Sequence, residues 1–546
     1  MRFFSKLQGN KKTTFKITCL GVLLLLQLVV LFYYGNRKAG FHEDEFYSYY
    51  STNKTAGLFV EDRTWQDRDD FRNDFVVLEN ERFRYNIVKQ MQSWDVHPPF
   101  YYYLLHTVCS FFPGVFSKWL GIAVNMAAFV PCFFLLFSLI KNTMETEGNK
   151  DRAWFYGFAV CLLWGFSAAV VSGAMFIRMY QWLTLFILFL SYLHMKAWKE
   201  DKFGLKFYLP LAATVFLGFM TQYYYIIFHI FLGAGFCVLL LRGKKIKQLF
   251  AYAISCALGL LAAILYYPSS LSHIFRGYRG TEAVSEFSNA ENTLDRLRFF
   301  VGLFDDYVLN GTLAVVLLII CMGWLTIAYL LKNGKITGKN RNCKGRQIVG
   351  LLLFACVGYF FTISKTALLL GETSNRYQLP VYGILLFLLL YFTMKPVECM
   401  VAGFAKKETA VKGLGVIVLI AVVAIIVTTH GGNKVFFLYE EEAEIMEYVE
   451  ENKDVPVVVY YRDDSALNVW RLSDELMVYP RIYLANQNNE EPITDVTITG
   501  SERLLVYVAD KDNKEACLEN LLQSNENLSG YKEVAVKNLW TLYEME

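Results

Sequence analysis

No CxxC pair and no Cys/His cluster with zinc-ligand spacing occurs in the 546 residues, which argues against a structural zinc site. Nor do the eleven cysteines form a disulfide framework: Cys19, Cys132, Cys161, Cys237, Cys256, Cys321 and Cys356 lie in apolar runs and read as small core residues. The carboxy-terminal tail lacks a dinucleotide fingerprint, a P-loop and a GxSxG elbow, so it offers none of the common nucleotide or serine-hydrolase signatures. Missing too is a small-x-small cleavage site after the first apolar run, FKITCLGVLLLLQLVVLFYY. Although lysines precede it, that run is about 20 residues long and ends in aromatics, so it reads as a retained anchor.

Apolar residues are abundant: 55% hydrophobic, 16% aromatic and a mean hydropathy of +0.31 describe a membrane protein. A window of about 20 residues predicts about eleven spans, at 15–34, 118–140, 153–173, 177–195, 207–224, 226–241, 248–267, 308–331, 347–369, 377–394 and 412–430. The net charge of +3 hides an uneven distribution. Basic residues crowd the amino terminus, KNTMETEGNKDR, KAWKEDKFGLK, RGKKIK, KNGKITGKNRNCKGR and the segment with Lys395, Lys406 and Lys407. These alternate with every other loop, so the positive-inside rule places them in the cytoplasm and the remaining loops outside. The segment HPPFYYYLLHTVCSFF (97–112) would break that alternation as a span; its length and its Pro-Pro start predict an interfacial helix instead.

Outside then lie a first loop (35–117), a second near 268–306, and the tail, expected as a separate α/β domain at 431–546 behind a membrane module at 1–430. The tail alternates predicted helices (EEEAEIMEYVEEN, KEACLENLLQ) with predicted strands (VPVVVYY, ERLLVYVAD and a final YKEVAVKNLWTLYEM).

Four constellations sit at the expected outer face. GFHEDEFYSYY (40–50) carries Asp44 and Glu45 within a turn of His42 and Glu43, and a carboxylate beside hydrocarbon has a pKa readily raised toward that of a base. In WDVHPPF, Asp95 and His97 precede the Pro-Pro turn. AMFIRMYQW places Arg178 and Tyr180 where one span turns into the next, and a guanidinium there suits a phosphate or snorkels to the interface. The short loop of ISKTALLLGETSNRYQLPVYG carries Glu372, Asn375, Arg376 and Tyr377, with Lys365 about one turn inside the preceding span and an anion as its expected partner. In the second outer loop Arg276, Arg279, Arg296 and Arg298 read mostly as solvated.

HEDEFYSY, DVHPPFYYYLLH, RMYQWLTL and SNRYQLPVYGILL, in this order, resemble the GT-C glycosyltransferases that use polyprenyl-phosphate-linked sugars, in the bacterial branch similar to protein O-mannosyltransferases and aminoarabinose transferases. The resemblance covers roughly residues 15–395. It implies a polytopic α-helical GT-C fold with outer juxtamembrane helices, set in a bacterial cell membrane with its active site extracytoplasmic. It also implies inverting transfer of one sugar from an undecaprenyl-phosphate-type donor to an acceptor glycan, lipid or protein, with no nucleic acid involved.

Carried over by position, Asp44 is the general base with Glu45 beside it; Asp95 and His97 shape the same cavity. Arg178, Lys365 and Arg376 hold the donor phosphate, and Tyr180 and Tyr377 support the arginines. The family differs on a divalent metal, Mg or Mn, which Asp44, Glu45 and Asp95 would bind through oxygen. Gln222 stands where relatives often have a histidine before the tyrosines. The competing reading is a secondary transporter of an anionic or sugar-like solute, against which stand the crowding of charge at one face and the lack of a repeat.

Overall fold

The computed structural model describes residues 2–53, 60–150, 152–334, 343–401, 407–462, 469–509, 514–537 and 539–546. They fall into two compact units, Met1–Tyr34 with Gln92–Tyr101 and Ile122–Phe436, and Gly35–Met91 with Tyr102–Gly121 and Phe437–Glu546. This corrects the division expected at 430/431: the tail shares its unit with most of the first loop, because that loop gives the tail's sheet an edge strand.

In the first unit, helices cover every predicted span. Eight helices among the described residues are long and apolar enough to cross a bilayer, and the pair Ala153–Phe166 and Ala168–Met175, bent by 55°, makes nine if it counts as one span. Two predicted spans fall short of that standard. Leu205–Thr221 has 17 residues, while Tyr180–Glu200 dilutes its apolar run with Gln181, Thr184, Ser191 and His194, all buried. A helix enclosed by other helices has little lipid to satisfy, so it tolerates such residues. By contrast Leu313–Lys332 and Lys412–Gly431, each only 11% buried, present apolar side chains outward as lipid-facing helices do. Phe100–Phe111, predicted to lie at the interface, is a helix of 12 residues; at about 18 Å it is too short to cross.

Polar contacts within this unit sort the loops into two groups. The basic loops meet one another: Lys395 pairs with Glu147 (2.5 Å), Arg152 with Glu398 (2.7 Å), Lys199 with Glu145 (3.3 Å) and Lys245 with Asp201 (2.6 Å). The other loops meet among themselves, as Arg178 with His97, Tyr223 with His273 and Lys365 with Asn292 show. Loops of one set share one end of the helices, which is what an alternating topology requires.

In the second unit a six-stranded sheet is built from β1 (Thr64–Asp67), β2 (Val457–Tyr461), β3 (Arg481–Asn486), β4 (Leu504–Ala509), β5 (Tyr531–Lys537) and β6 (Trp540–Met545). Its order is β1-β3-β2-β4-β6-β5. The pairs β3/β2 and β2/β4 are parallel, and the outer pairs are antiparallel. The fully buried runs of β2 and β4 fit a central parallel core. The final predicted strand is in fact the hairpin β5/β6, and β1 and β3 were not predicted. Helix Lys514–Ser524 packs Cys517, Leu518 and Leu521 into the core beside Val506 and Tyr543.

Candidate functional site

In the second unit, helix Glu43–Asn53 begins with the acidic stretch. His42 starts it: its Nδ1 accepts from the Asp44 amide at 3.0 Å, and its own amide donates to Glu45 Oε2 at 2.7 Å. This is a reciprocal cap with histidine in the place usually held by serine or threonine. Because Nδ1 is an acceptor there, His42 is a cap and not a cation for Asp44, whose Oδ2 lies 3.7 Å away. Glu45 is buried, and its Oε2 also takes the ammonium of buried Lys38 at 2.9 Å. Asp44 differs: 32% of its side chain is exposed, on the first turn of a helix whose N-terminal dipole favours the carboxylate. Glu45 thus holds the helix start.

The metal reading does not fit these residues. A divalent ion on Glu45 would sit against the Lys38 ammonium, and among the described residues no three His, Cys, Asp or Glu side chains are gathered as ligands.

In the first unit, the bend between Met175 and Tyr180 carries Phe176, Arg178 and Tyr180 on backbone held by Asn125, whose amide donates to Ala174 O (3.2 Å) and Phe176 O (2.6 Å). Arg178, buried, donates from Nη2 to His97 Nε2 at 3.1 Å. A guanidinium can only donate, so Nε2 accepts and the Nδ1 proton goes to Asp95 Oδ2 at 2.8 Å. The result is a carboxylate–imidazole–guanidinium chain that fixes the tautomer of His97. Burial would raise the Asp95 carboxyl, but the electrostatic pull of His97, its hydrogen bond and the charge of Arg178 outweigh it and bring the pKa to about 2.

Asp95 contributes stability above its ordinary pKa of 3.8, and the contribution is lost only as pH falls through about 2. If the chain positions Arg178 for chemistry, Asp95→Asn lowers kcat/KM by about tenfold, and the pH–rate profile keeps its shape above about pH 4. An acid limb present in the parent and lost in the variant would show that Asp95 titrates.

Arg376 is the second residue of helix Asn375–Val401. Its guanidinium lies 5.0 Å from the Phe176 ring centroid and 5.1 Å from that of Tyr377, and Nη2 donates to the Tyr377 hydroxyl at 3.2 Å. Tyr180 meets Tyr377 edge-on at 5.7 Å and stacks on Phe176 at 6.1 Å; Tyr224 approaches Tyr377 at 5.9 Å. Arg376 therefore stacks on Phe176, which lies two residues before Arg178 on the same bend. Tyr359 donates to Tyr377 O (2.9 Å) and Tyr382 to Asn375 Oδ1 (2.6 Å), which locks the start of the helix.

Lys365 is placed differently from the expectation. Its ammonium donates to Asn289 O, to Asn292 Oδ1 (2.6 Å) and to Thr293 Oγ1 (3.0 Å), so its three protons meet three oxygens of the second loop. It ties that loop to helix Cys343–Thr366 and has no proton left for a phosphate. Arg296, read as solvated, is buried and donates to Ser364 O (2.8 Å) and Ala367 O, closing the last turn of the same helix. Arg279 and Arg298 do pair at the surface with Glu282 and Asp295.

Unforeseen members are Phe176, Asn125 and His273. His273 bridges the Tyr223 hydroxyl (3.0 Å) and Ser93 O (3.3 Å). Only its place within the second loop could have drawn attention to it.

No family model and no curated protein sequence matches the chain. Among solved structures, the chain is similar to the crystal structure of ArnT from Cupriavidus metallidurans bound to undecaprenyl phosphate. The TM-score is 0.50 at 13% identity, covering 96% of this chain and 97% of that one. The apo-state crystal structure of the same ArnT matches with a TM-score of 0.45 at 11% identity, over 91% and 96%. The first likeness, nearly end to end, establishes the GT-C fold that the motifs imply.

Proposed function

We propose that this integral membrane protein transfers one sugar, with inversion, from a polyprenyl-phosphate carrier to an acceptor at the extracytoplasmic side of the bilayer. The observation that carries the reading is a pair of buried guanidiniums, Arg178 held by His97 and Arg376 stacked on Phe176 and Tyr377, within a chain that has the fold of an undecaprenyl-phosphate-bound ArnT. Breaking the bond from sugar C1 to phosphate builds negative charge on the leaving oxygen. Cations already fixed by an imidazole–carboxylate chain on one side and by ring faces on the other stabilise that charge without reorganising.

The acceptor hydroxyl attacks C1 from the side opposite the phosphate, which inverts the anomeric centre. Its proton goes to the Asp44 carboxylate, and the phosphate leaves on its lipid. Glu45 positions Asp44 through the helix start; Asp95 and His97 position Arg178; Tyr180 and Tyr377 position Arg376. Lys365 belongs to the support of the second loop. No step is routed through a metal.

The test supplies purified protein with radiolabelled undecaprenyl-phosphate sugars and fractionated cell envelope, following label into lipid, glycan and protein. Transfer with release of undecaprenyl phosphate supports the reading; no transfer from any carrier sinks it. Arg178→Ala and Arg376→Ala each lower kcat/KM by about 10²–10³-fold, as loss of one preorganised donor to a developing oxyanion does. Lysine restores little at either position, because an ammonium reproduces neither the bidentate fork nor the ring stacking.

A further inference from the structure

The helix that carries Asp44 is a poor helix by itself. EDEFYSYYSTN has 11 residues, rich in Ser, Thr, Tyr and Asn, and isolated helices of this length are marginal in water even with better formers. One face is held by the first loop itself, where Phe46 packs on Phe75 and Phe116 (6.0 and 6.2 Å), Tyr49 donates to Ser117 O (2.7 Å) and Asn53 to Phe75 O (2.9 Å); the entry and the other face are held by the carboxy-terminal chain of the same unit. At its entry, Arg37 forks onto Glu440 (2.5 and 2.7 Å), the Ala39 amide donates to Leu438 O (2.7 Å), and Lys38 donates both to Glu45 and to Phe437 O (2.7 Å). At its first residue, Glu43 pairs with Arg471. Along its length, Tyr47 and Tyr50 pack on the buried Trp470 ring at 4.7 and 4.2 Å.

Glu43, Tyr47 and Tyr50 recur at i, i+4 and i+7, so they form one face, and the tail grips that face. Asp44, beside it, keeps a partly exposed carboxylate.

We infer that the carboxy-terminal chain is a clamp on the helix of the base, with Trp470 and Arg471 as positioning residues for the reaction proposed above, on which this inference rests. The tail then acts through kcat, by fixing where the Asp44 carboxylate stands, and recognition of the acceptor is not its role at these two residues.

The experiment uses the full chain in nanodiscs. Trp470→Ala and Arg471→Ala are compared with the milder Trp470→Phe and Arg471→Gln, and with the charge swap Glu43→Arg/Arg471→Glu. Hydrogen exchange reads the segment 43–53 directly, with helix Tyr180–Glu200 as the internal control. Transfer assays read kcat and KM for donor and acceptor separately.

Expected are faster exchange across 43–53 with the control unchanged, a fall in kcat of about 10–100-fold with little change in either KM, and recovery of part of kcat in the swap. Unchanged exchange in the milder and the severe variants overturns the clamp, as does a rise in acceptor KM alone. If the parent protein transfers no sugar, the proposed function falls by itself, and the exchange of 43–53 still decides whether the tail holds the helix.

Discussion

Asp44→Asn lowers kcat for sugar transfer by about 10²–10⁴-fold, the usual contribution of a positioned general base, and leaves donor KM nearly unchanged. Asparagine matches aspartate in shape, and the cap around it does not depend on the Asp44 side chain: the His42 ring accepts from the backbone amide, and the reciprocal bond goes to Glu45. The loss is therefore chemical, because the amide cannot take the acceptor's proton. Glu45→Gln is the control. It removes the charge opposite buried Lys38, so it weakens the fold, and activity falls in step with the folded fraction. Normal turnover in Asp44→Asn, or equal loss of folded protein in both variants, would remove Asp44 from the chemistry.

What the sequence disclosed about this site follows from what is local. The span pattern and the alternation of basic loops depend on runs of about 20 residues and on charge near their ends, and both are written in consecutive residues. Arg376 and Tyr377 are neighbours in the chain, so their pairing was legible. The use of Lys365 was not, because its partners Asn289, Asn292 and Thr293 lie more than seventy residues away. The same holds for β1: four residues, TWQD, form a strand only because β3 offers an edge more than four hundred positions later. The hairpin β5/β6 passed as one strand because KNLW carries none of the Asn-Gly or Asp-Gly signals of a tight turn. Sequence shows the proximity of Glu45 to Asp44 but not the buried ammonium of Lys38 that Glu45 meets.

Lys537→Met unlocks the second unit, at a cost of about 3–5 kcal/mol, as loss of one partner from a buried ionic group does. The Lys537 ammonium sits 2.9 Å from Glu442, 3.0 Å from Asp474 and 2.9 Å from Glu475, all nearly buried. Three carboxylates around one cation cannot all be charged comfortably. Burial raises Glu442 to about 7, with Asp474 and Glu475 adding to the shift against Lys537; burial likewise raises Glu475, which also accepts from the Tyr507 hydroxyl at 2.7 Å. A carboxyl raised in the folded state binds its proton there while the unfolded chain has released it. Its contribution to stability is therefore lost as pH rises from its ordinary 4.5 through about 7.

In Lys537→Met the remaining carboxylates repel one another, so the defect is largest above about pH 7 and shrinks toward pH 5 as protons replace the missing cation. Glu442→Gln in the parent flattens the pH dependence in that window. Native-state hydrogen exchange of β4 and β6 in the full-length protein measures both effects as opening free energies. A Lys537→Met defect independent of pH would mean that lost packing of the lysine stem, and not the charge cluster, dominates. The consequence reaches the site through Glu442: a Cβ at position 40 would lie 1.9 Å from Glu442 Oε2, so the chain entering the acidic helix passes directly over this cluster. When the cluster loosens, the first strain falls on residues 40–45, and Lys537→Met is expected to lower kcat before the sheet itself unfolds.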